Sequence, residues 1–188
     1  MKKNMDKKLP SAKQIAFAAL FAALCCIGTL VITIPLPNGY FNTGDIFVLL
    51  SGWCLGPVYG SIAAAIGSAL ADIISGYSLY APATFLIKGI NAFIAYIVYF
   101  FLKRYIQKEK VDILSRAISA ICGEAWMILG YFLFEMLLYG IGGASIALLG
   151  NLTQGICCAI GALLLIATLR SIKGTKKLFP FLTPNVKK

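Results

Sequence analysis

The chain has 188 residues, of which 60% are hydrophobic and only 13% are charged, and its formal net charge is +10. Soluble domains are about 45–50% apolar and about 25% charged, so this composition excludes a water-soluble globule and indicates an integral membrane protein. The sequence has no histidine, and its six cysteines all lie within apolar runs, so neither a metal ion nor another cofactor is expected.

Six apolar segments are predicted to form membrane-spanning helices. A helix needs about 20 mostly apolar residues to cross a ~30 Å hydrocarbon core. Breaks at charge clusters and at Gly, Pro and Asn give spans at about residues 13–34, 43–56, 58–75, 81–102, 114–138 and 145–169. The second and third spans are short, which indicates a locally thinned or partly water-filled region. We therefore predict one all-α domain over residues 1–188, a six-transmembrane-helix bundle.

The first span carries a run of small residues, "AFAALFAAL". Ala18 and Ala22 are spaced four apart, as are Ala19 and Ala23, and small residues at this spacing let another helix approach closely. The apolar run "IAFAALFAALCCIGTLVITI" is too long for a typical signal-peptide core, and no small-residue cleavage site follows it. We expect this segment to be retained as a spanning helix.

The basic residues predict the orientation of the bundle. Sixteen of the 17 Lys and Arg residues lie in or next to the N-terminal segment, the loop between spans 4 and 5, and the C-terminal tail. The loops on the other side, "PLPNGYFNTGD", "SGYSLY" and "LYGIGGA", contain none. Cytoplasmic loops are rich in Lys and Arg, so both termini are predicted to be cytoplasmic. The net charge then reflects topology and attraction to anionic lipids rather than nucleic-acid binding.

Lys88, the remaining basic residue, lies in span 4, roughly 10 Å below its outer end. A lone ammonium in hydrocarbon costs roughly 2.5–3.5 kcal/mol, so Lys88 is expected to face the bundle interior beside a carboxylate. The candidate partners are Asp72, Glu135 and Asp45. Five helices place polar groups near this depth and tyrosines lie at the outer rim, which predicts a small-molecule site. The predicted substrate-binding residues are Lys88, Asn91, Asp72, Glu135, Asn42, Asp45, Tyr40, Tyr80, Asn151 and Gln154.

Four polar residues of the spans and their ends have purely structural alternatives. Lys88 and one acid could form an ion pair that only packs two helices together. Asn42 or Asp45 could cap the first turn of span 2. Glu124, which lies deeper on the same stripe as Glu135, could be part of the site or a helix–helix hydrogen-bond partner.

The sequence contains no GxxxxGK[ST] loop, HExxH or GxSxG motif, so neither ATP hydrolysis nor enzymatic catalysis by the usual routes is expected. The segment "NTGDIFVLLSGWCLGPVYGSIAAAIGSALADIISGYSLYAPATFLIKG" resembles the S components of energy-coupling factor (ECF) vitamin transporters, in the riboflavin-type or uncharacterised branch. The similarity is strong over spans 2 to 4 and extends over the whole chain in length and topology.

This resemblance implies a fold, a site and partners. It implies six helices with cytoplasmic termini in a prokaryotic plasma membrane, and a substrate-binding subunit that is not an enzyme. The face of helix 1 with Ala18, Ala19, Ala22 and Ala23 would dock on a membrane-embedded coupling subunit, and two cytoplasmic ATPases would supply energy. The loops at residues 35–44 and 76–81 would cover an outward-facing vitamin site, and the chain would topple in the membrane to release its substrate.

The resemblance does not fix the vitamin. One lysine, several acids, Asn and Tyr favour a compact polar heteroaromatic such as pyridoxine or hydroxymethylpyrimidine, with riboflavin as a further candidate. A dianionic substrate would fit poorly among these acids. The alternative to an S component is a self-sufficient small membrane transporter or channel.

Overall fold

The computed structural model describes residues 11–36, 39–105, 112–172 and 174–179, and the described residues are mainly helical. The N-terminal basic segment and most of the basic loop between α4 and α5 lie outside these ranges, so the orientation stays a prediction. In chain order the elements are α1 (Ser11–Val31), β1 (Thr33–Leu36), β2 (Gly39–Asn42), α2 (Gly44–Leu55), α3 (Pro57–Ile74), α4 (Ala81–Tyr105), α5 (Asp112–Ser171) and α6 (Thr175–Leu178).

The chain leaves α1 earlier than the sequence predicts and forms a β-hairpin instead of an open loop. α1 ends at Val31 rather than at residue 34, and β1 pairs antiparallel with β2, with Thr33 opposite Asn42 and Pro35 opposite Tyr40. The physical reason lies in the run "VITIP". Its β-branched residues favour extended backbone, and the residue before a proline is disfavoured in a helix. The hairpin covers one end of the bundle.

α2 is enclosed by the other helices. Ten of its 12 residues are buried, and it packs against α1, α3, α4 and α5. Two glycines allow this close packing, because a Cβ atom on Gly52 would meet the carbonyl oxygen of Ala92, and one on Gly60 would meet that of Ser51. The short length of α2 therefore reflects enclosure by protein rather than contact with a thinned bilayer.

The predicted spans at 114–138 and 145–169 form one helical segment, α5, which is broken at Gly140. Gly140 has φ 71° and ψ 177°, a backbone conformation that glycine adopts without steric cost. Residues 112–139 form a first arm and residues 141–171 a second arm. Gly155 lies against Glu124, and Arg170 pairs with Asp112, so the two arms run antiparallel.

The described helices have the length and composition expected in a membrane. Four of them are long and apolar enough to cross one, namely α1, α3, α4 and α5. Large apolar side chains are exposed along their outer faces, including Ile66, Leu86 and Leu149. Such a surface is stable in lipid and would be costly in water.

Candidate functional site

A small polar cavity lies beneath the hairpin, between α3, α4 and both arms of α5. Its volume is about 30 Å³, enough for about one water molecule. The lining comes from six parts of the chain: Gly39, Tyr40, Asn42, Asp72, Tyr77, Tyr80, Thr84, Tyr131, Glu135, Asn151 and Gln154. Seven of the ten predicted substrate-binding residues are therefore brought together here.

Three buried polar atoms of this lining have no hydrogen-bond partner among the residues that the structure describes. They are Oδ2 of Asp72, Oε2 of Glu135 and Nδ2 of Asn151. Burying such atoms without a partner costs free energy, about 1–3 kcal/mol for each neutral group and more for a charged one. The lining thus presents two acceptors and one donor that a bound molecule can satisfy.

Tyrosine side chains form the outer wall of the cavity. Tyr40 donates a hydrogen bond to Asp72 over 2.6 Å, and its ring centroid lies 4.9 Å from that of Tyr77. Tyr77 in turn lies edge-on to Tyr80, at 6.2 Å. Burial, followed by the Asp72 carboxylate, raises the pKa of Tyr40. Its hydroxyl therefore stays protonated and holds the hairpin on α3 as a hydrogen-bond donor.

Lys88 lies behind the lining rather than in it. Its Nζ atom is 2.6 Å and 2.7 Å from the two carboxylate oxygens of Asp45, and both side chains are buried. Of the three candidate partners, the structure thus brings Asp45 to Lys88. The Tyr131 ring, 5.1 Å from Nζ, lines the cavity above the lysine. The pair joins α4 to the enclosed helix α2.

Gln154 connects this ion pair to the hairpin. Its Nε2 atom donates to Asp45 over 2.7 Å, and its Oε1 atom accepts from the backbone N–H of Asn42 over 2.9 Å. The Asn42 side chain accepts from the N–H of Gly44, while Thr43, at the cap position itself, makes no side-chain cap bond. One glutamine of the second α5 arm therefore holds β2 and the start of α2 together.

Asn91 and Glu124 lie deeper still. The Asn91 amide is 3.5 Å from Oε1 of Glu124, and the Glu124 side chain packs against Gly155. These contacts join α4 to the first α5 arm, and the first arm to the second. This placement favours the helix–helix alternative for Glu124. Like Lys88 and Asp45, Asn91 lies outside the cavity lining.

The four alanines of α1 divide between two faces. Ala18 and Ala22 pack inward against the core, where Gly67 of α3 approaches the Ala22 backbone. Ala19 and Ala23 are exposed. The Ala19–Ala23 face is thus more accessible to another membrane helix than the half-buried Ala18–Ala22 face.

Sequence reasoning left three polar lining residues out of the predicted set: Tyr77, Thr84 and Tyr131. Thr84 lies one helical turn before Lys88, and its hydroxyl is 2.9 Å from that of Tyr131. Tyr131 lies on the same stripe of the first α5 arm as Glu124 and Glu135. Helical spacing from Lys88 and Glu135 was the signal that could have identified both residues.

Comparison with known proteins adds two findings. A family model described as "ECF-type riboflavin transporter, S component" matches residues 8–171. A relative from Pyrococcus woesei, described as "Uncharacterized protein in gap 3'region", is 34% identical over 132 residues, which cover 69% of this chain and 83% of the relative.

Proposed function

The chain belongs to the S-component family of ECF-type riboflavin transporters, and we propose that it captures a vitamin or vitamin precursor in the cavity beneath the hairpin. The family comprises substrate-binding subunits of transporters and is not an enzyme family. The protein is accordingly a multi-pass protein of the cell membrane. The resemblance noted in the sequence is confirmed at this level.

The observation that carries the proposed site is the set of unpartnered atoms in the cavity lining. Asp72 and Glu135 offer carboxylate oxygens to hydroxyl or N–H groups, and Asn151 offers an N–H to a ring nitrogen or an oxygen. Tyr40, Tyr77 and Tyr80 supply aromatic surface beside these atoms. Few but well-placed polar groups beside aromatic rings are typical of small-molecule sites.

The charge of the lining selects among substrates. No Lys or Arg is present among the lining residues that the structure describes, because Lys88 is paired with Asp45 beneath them. A neutral heteroaromatic with hydroxyl or amino groups fits this lining better than an anion. Pyridoxine and hydroxymethylpyrimidine have this chemistry and are compact, so they are the favoured substrates. Riboflavin, which the family name supports, is the larger alternative.

Entry of any of these vitamins requires the hairpin to move. Ligand pockets for drug-sized molecules have volumes of about 300–1,000 Å³, whereas this cavity measures about 30 Å³. The hairpin is held by Tyr40 on Asp72 and by Asn42 on Gln154. We infer that these two hydrogen bonds open to admit the substrate and close over it.

Transport requires partners in this proposal. The two arms of α5 each cross the membrane, which completes a single six-span domain with both termini in the cytoplasm. The exposed Ala19–Ala23 face docks on the coupling subunit, and two cytoplasmic ATPases drive toppling and release. Support for the docking face comes from its small exposed side chains, which allow close helix approach.

The test separates an S component from a self-sufficient transporter. The purified chain is reconstituted in liposomes with and without the coupling subunits, and uptake of radiolabelled pyridoxine, hydroxymethylpyrimidine and riboflavin is measured with ATP inside. We expect saturable binding by the chain alone, and uptake of one vitamin only with the coupling subunits and ATP. Uptake by the lone chain without ATP would contradict the proposal.

A further inference from the structure

A second cluster of charges lies at the opposite end of the bundle from the vitamin site. Asp112, at the start of α5, is fully buried and is surrounded by Lys103 of α4, Arg116 of the first arm and Arg170 of the second arm. Lys103 is 15 residues after Lys88 on the same helix, which places it about 22 Å away along the axis. This basic cluster, defined by Lys103, Asp112, Arg116 and Arg170, is therefore separate from the cavity.

The single carboxylate of this cluster is saturated. Its Oδ1 atom accepts from the Tyr99 hydroxyl over 2.7 Å and lies 3.1 Å from Lys103. Its Oδ2 atom lies 3.0 Å from Nε of Arg116 and 2.7 Å from Arg170. A carboxylate has about four lone-pair sites, and four donors already surround this one. Among the described residues, the single charge of Asp112 is therefore shared by Lys103, Arg116 and Arg170.

Two of the three cations can be reached from outside. The side chains of Lys103 and Arg170 are 14% and 18% exposed, whereas Arg116 is fully buried and lies 4.0 Å from the Tyr99 ring. Among the described residues, the buried Nε atom of Arg170 has no hydrogen-bond partner. The loop sequence "QKEKV", between α4 and α5, is itself net positive and supplies no excess of negative charge. Lys103 and Arg170 are thus the two members of the basic cluster that an anion can approach from outside.

We propose that the basic cluster binds the phosphate of an anionic phospholipid through Lys103 and Arg170. Pairs of Lys and Arg beside helix ends are suited to phosphate oxygens, and basic pockets between spanning helices bind anionic headgroups. The same helix ends expose the apolar side chains of Phe101, Ile113 and Leu114. These side chains would contact acyl chains, so a lipid fits the surroundings better than a free phosphate does.

The experiment measures lipid binding by the full-length chain in detergent. Native mass spectrometry and thermal unfolding are recorded with phosphatidylglycerol, phosphatidylcholine or inorganic phosphate. We expect phosphatidylglycerol to bind and to protect the protein best. Lys103→Gln should weaken this binding about fivefold, and Lys103→Gln combined with Arg170→Gln should weaken it about 25-fold. Arg104→Gln, which removes an exposed charge one residue away, is the matched control and should have little effect.

Each outcome decides the proposal. An unchanged size-exclusion profile serves as the folding control for every variant. If the double variant does not fold, the comparison of Lys103→Gln with the parent tests the proposal alone. Equal protection by inorganic phosphate would overturn the lipid as the ligand and would assign the basic cluster to a soluble phosphate. Equal binding of phosphatidylglycerol and phosphatidylcholine, or unchanged phosphatidylglycerol binding by the variants, would overturn the proposal. Loss of coupling-subunit binding with unchanged lipid binding would also overturn it and assign the cluster to a protein contact.

Discussion

The ion pair between Lys88 and Asp45 is predicted to stabilise the bundle rather than to contact the substrate. In Lys88→Met, the Asp45 carboxylate would remain fully buried, with the neutral Gln154 amide as its nearest remaining donor. Breaking a buried pair in this way typically costs about 3–5 kcal/mol. For a chain of this size, that loss lowers the midpoint of thermal unfolding by roughly 6–20 °C.

The assay is a double-mutant cycle on the detergent-purified chain, in which size-exclusion chromatography monitors the fraction that stays folded as the temperature rises. Asp45→Asn keeps an acceptor for Gln154 and removes the charge, so the double variant Lys88→Met with Asp45→Asn should recover to within about 1 kcal/mol of the parent. Lys13→Met, which changes an exposed lysine of α1, is the control for the loss of one charge.

Vitamin affinity of the same variants tests whether Lys88 contacts the substrate. Because Lys88 lies beneath the cavity lining, the double variant should still bind substrate. An unchanged unfolding midpoint in Lys88→Met, together with lost vitamin binding, would refute this reasoning. Lys88 would then contact the substrate directly.

Three further predictions concern the hairpin and the docking face. Tyr40→Phe removes the hydrogen bond to Asp72 and should weaken vitamin affinity, measured by titration calorimetry, about three- to tenfold. A hydrogen bond to a charged group is worth roughly 1.5–3 kcal/mol, and water recovers part of this free energy in the variant. Unchanged affinity would argue against the hairpin as a lid. Gln154→Ala removes one of the two hydrogen bonds that hold the hairpin and should accelerate vitamin dissociation in stopped-flow fluorescence. An unchanged dissociation rate would show that this attachment does not hold the hairpin closed. Replacing Ala19 and Ala23 by Leu should abolish vitamin uptake in liposomes with the coupling subunits while vitamin binding stays intact, and normal uptake would place the docking face elsewhere.

The alanines of α1 also provide a matched control for the docking prediction. Ala18→Leu and Ala22→Leu insert the same side chain on the inward face, against the core. Overpacking a filled core typically costs about 1–3 kcal/mol per site. These variants should lose stability, measured as a lower unfolding midpoint, whereas Leu at the exposed positions should not.

The sequence was informative where a polar residue had to be explained inside an apolar run. A lysine in the middle of a spanning helix predicts an interior carboxylate partner, and the structure supplies Asp45 at 2.6 Å. It could not select among Asp72, Glu135 and Asp45, because that choice depends on helix rotation. It also could not show that Tyr131 lies between Lys88 and the cavity, since that depends on how the first α5 arm packs on α4.

Backbone details were less predictable than the helices themselves. The segment "PLPNGYFNTGD" carries turn residues typical of a loop, which is what the sequence predicts there. The hairpin depends on hydrogen bonds between β1 and β2, which no local residue pattern shows. The two inward and two outward alanines of α1 have the same spacing, so only packing against α3 distinguishes them. The excess of cations around Asp112 arises because the chain reverses at Gly140 and brings Arg170 beside it.

The most direct test of the central claim is native mass spectrometry of the purified full-length chain with a panel of B vitamins and their precursors. The parent is compared with the double variant that combines Glu135→Gln and Asn151→Ala. The proposed function predicts one bound vitamin per chain in the parent, and much weaker binding of the same molecule by the variant, whose unfolding midpoint should be unchanged. A parent that binds no member of the panel, or a variant that binds its vitamin as tightly as the parent, would contradict the claim that this cavity is the substrate site.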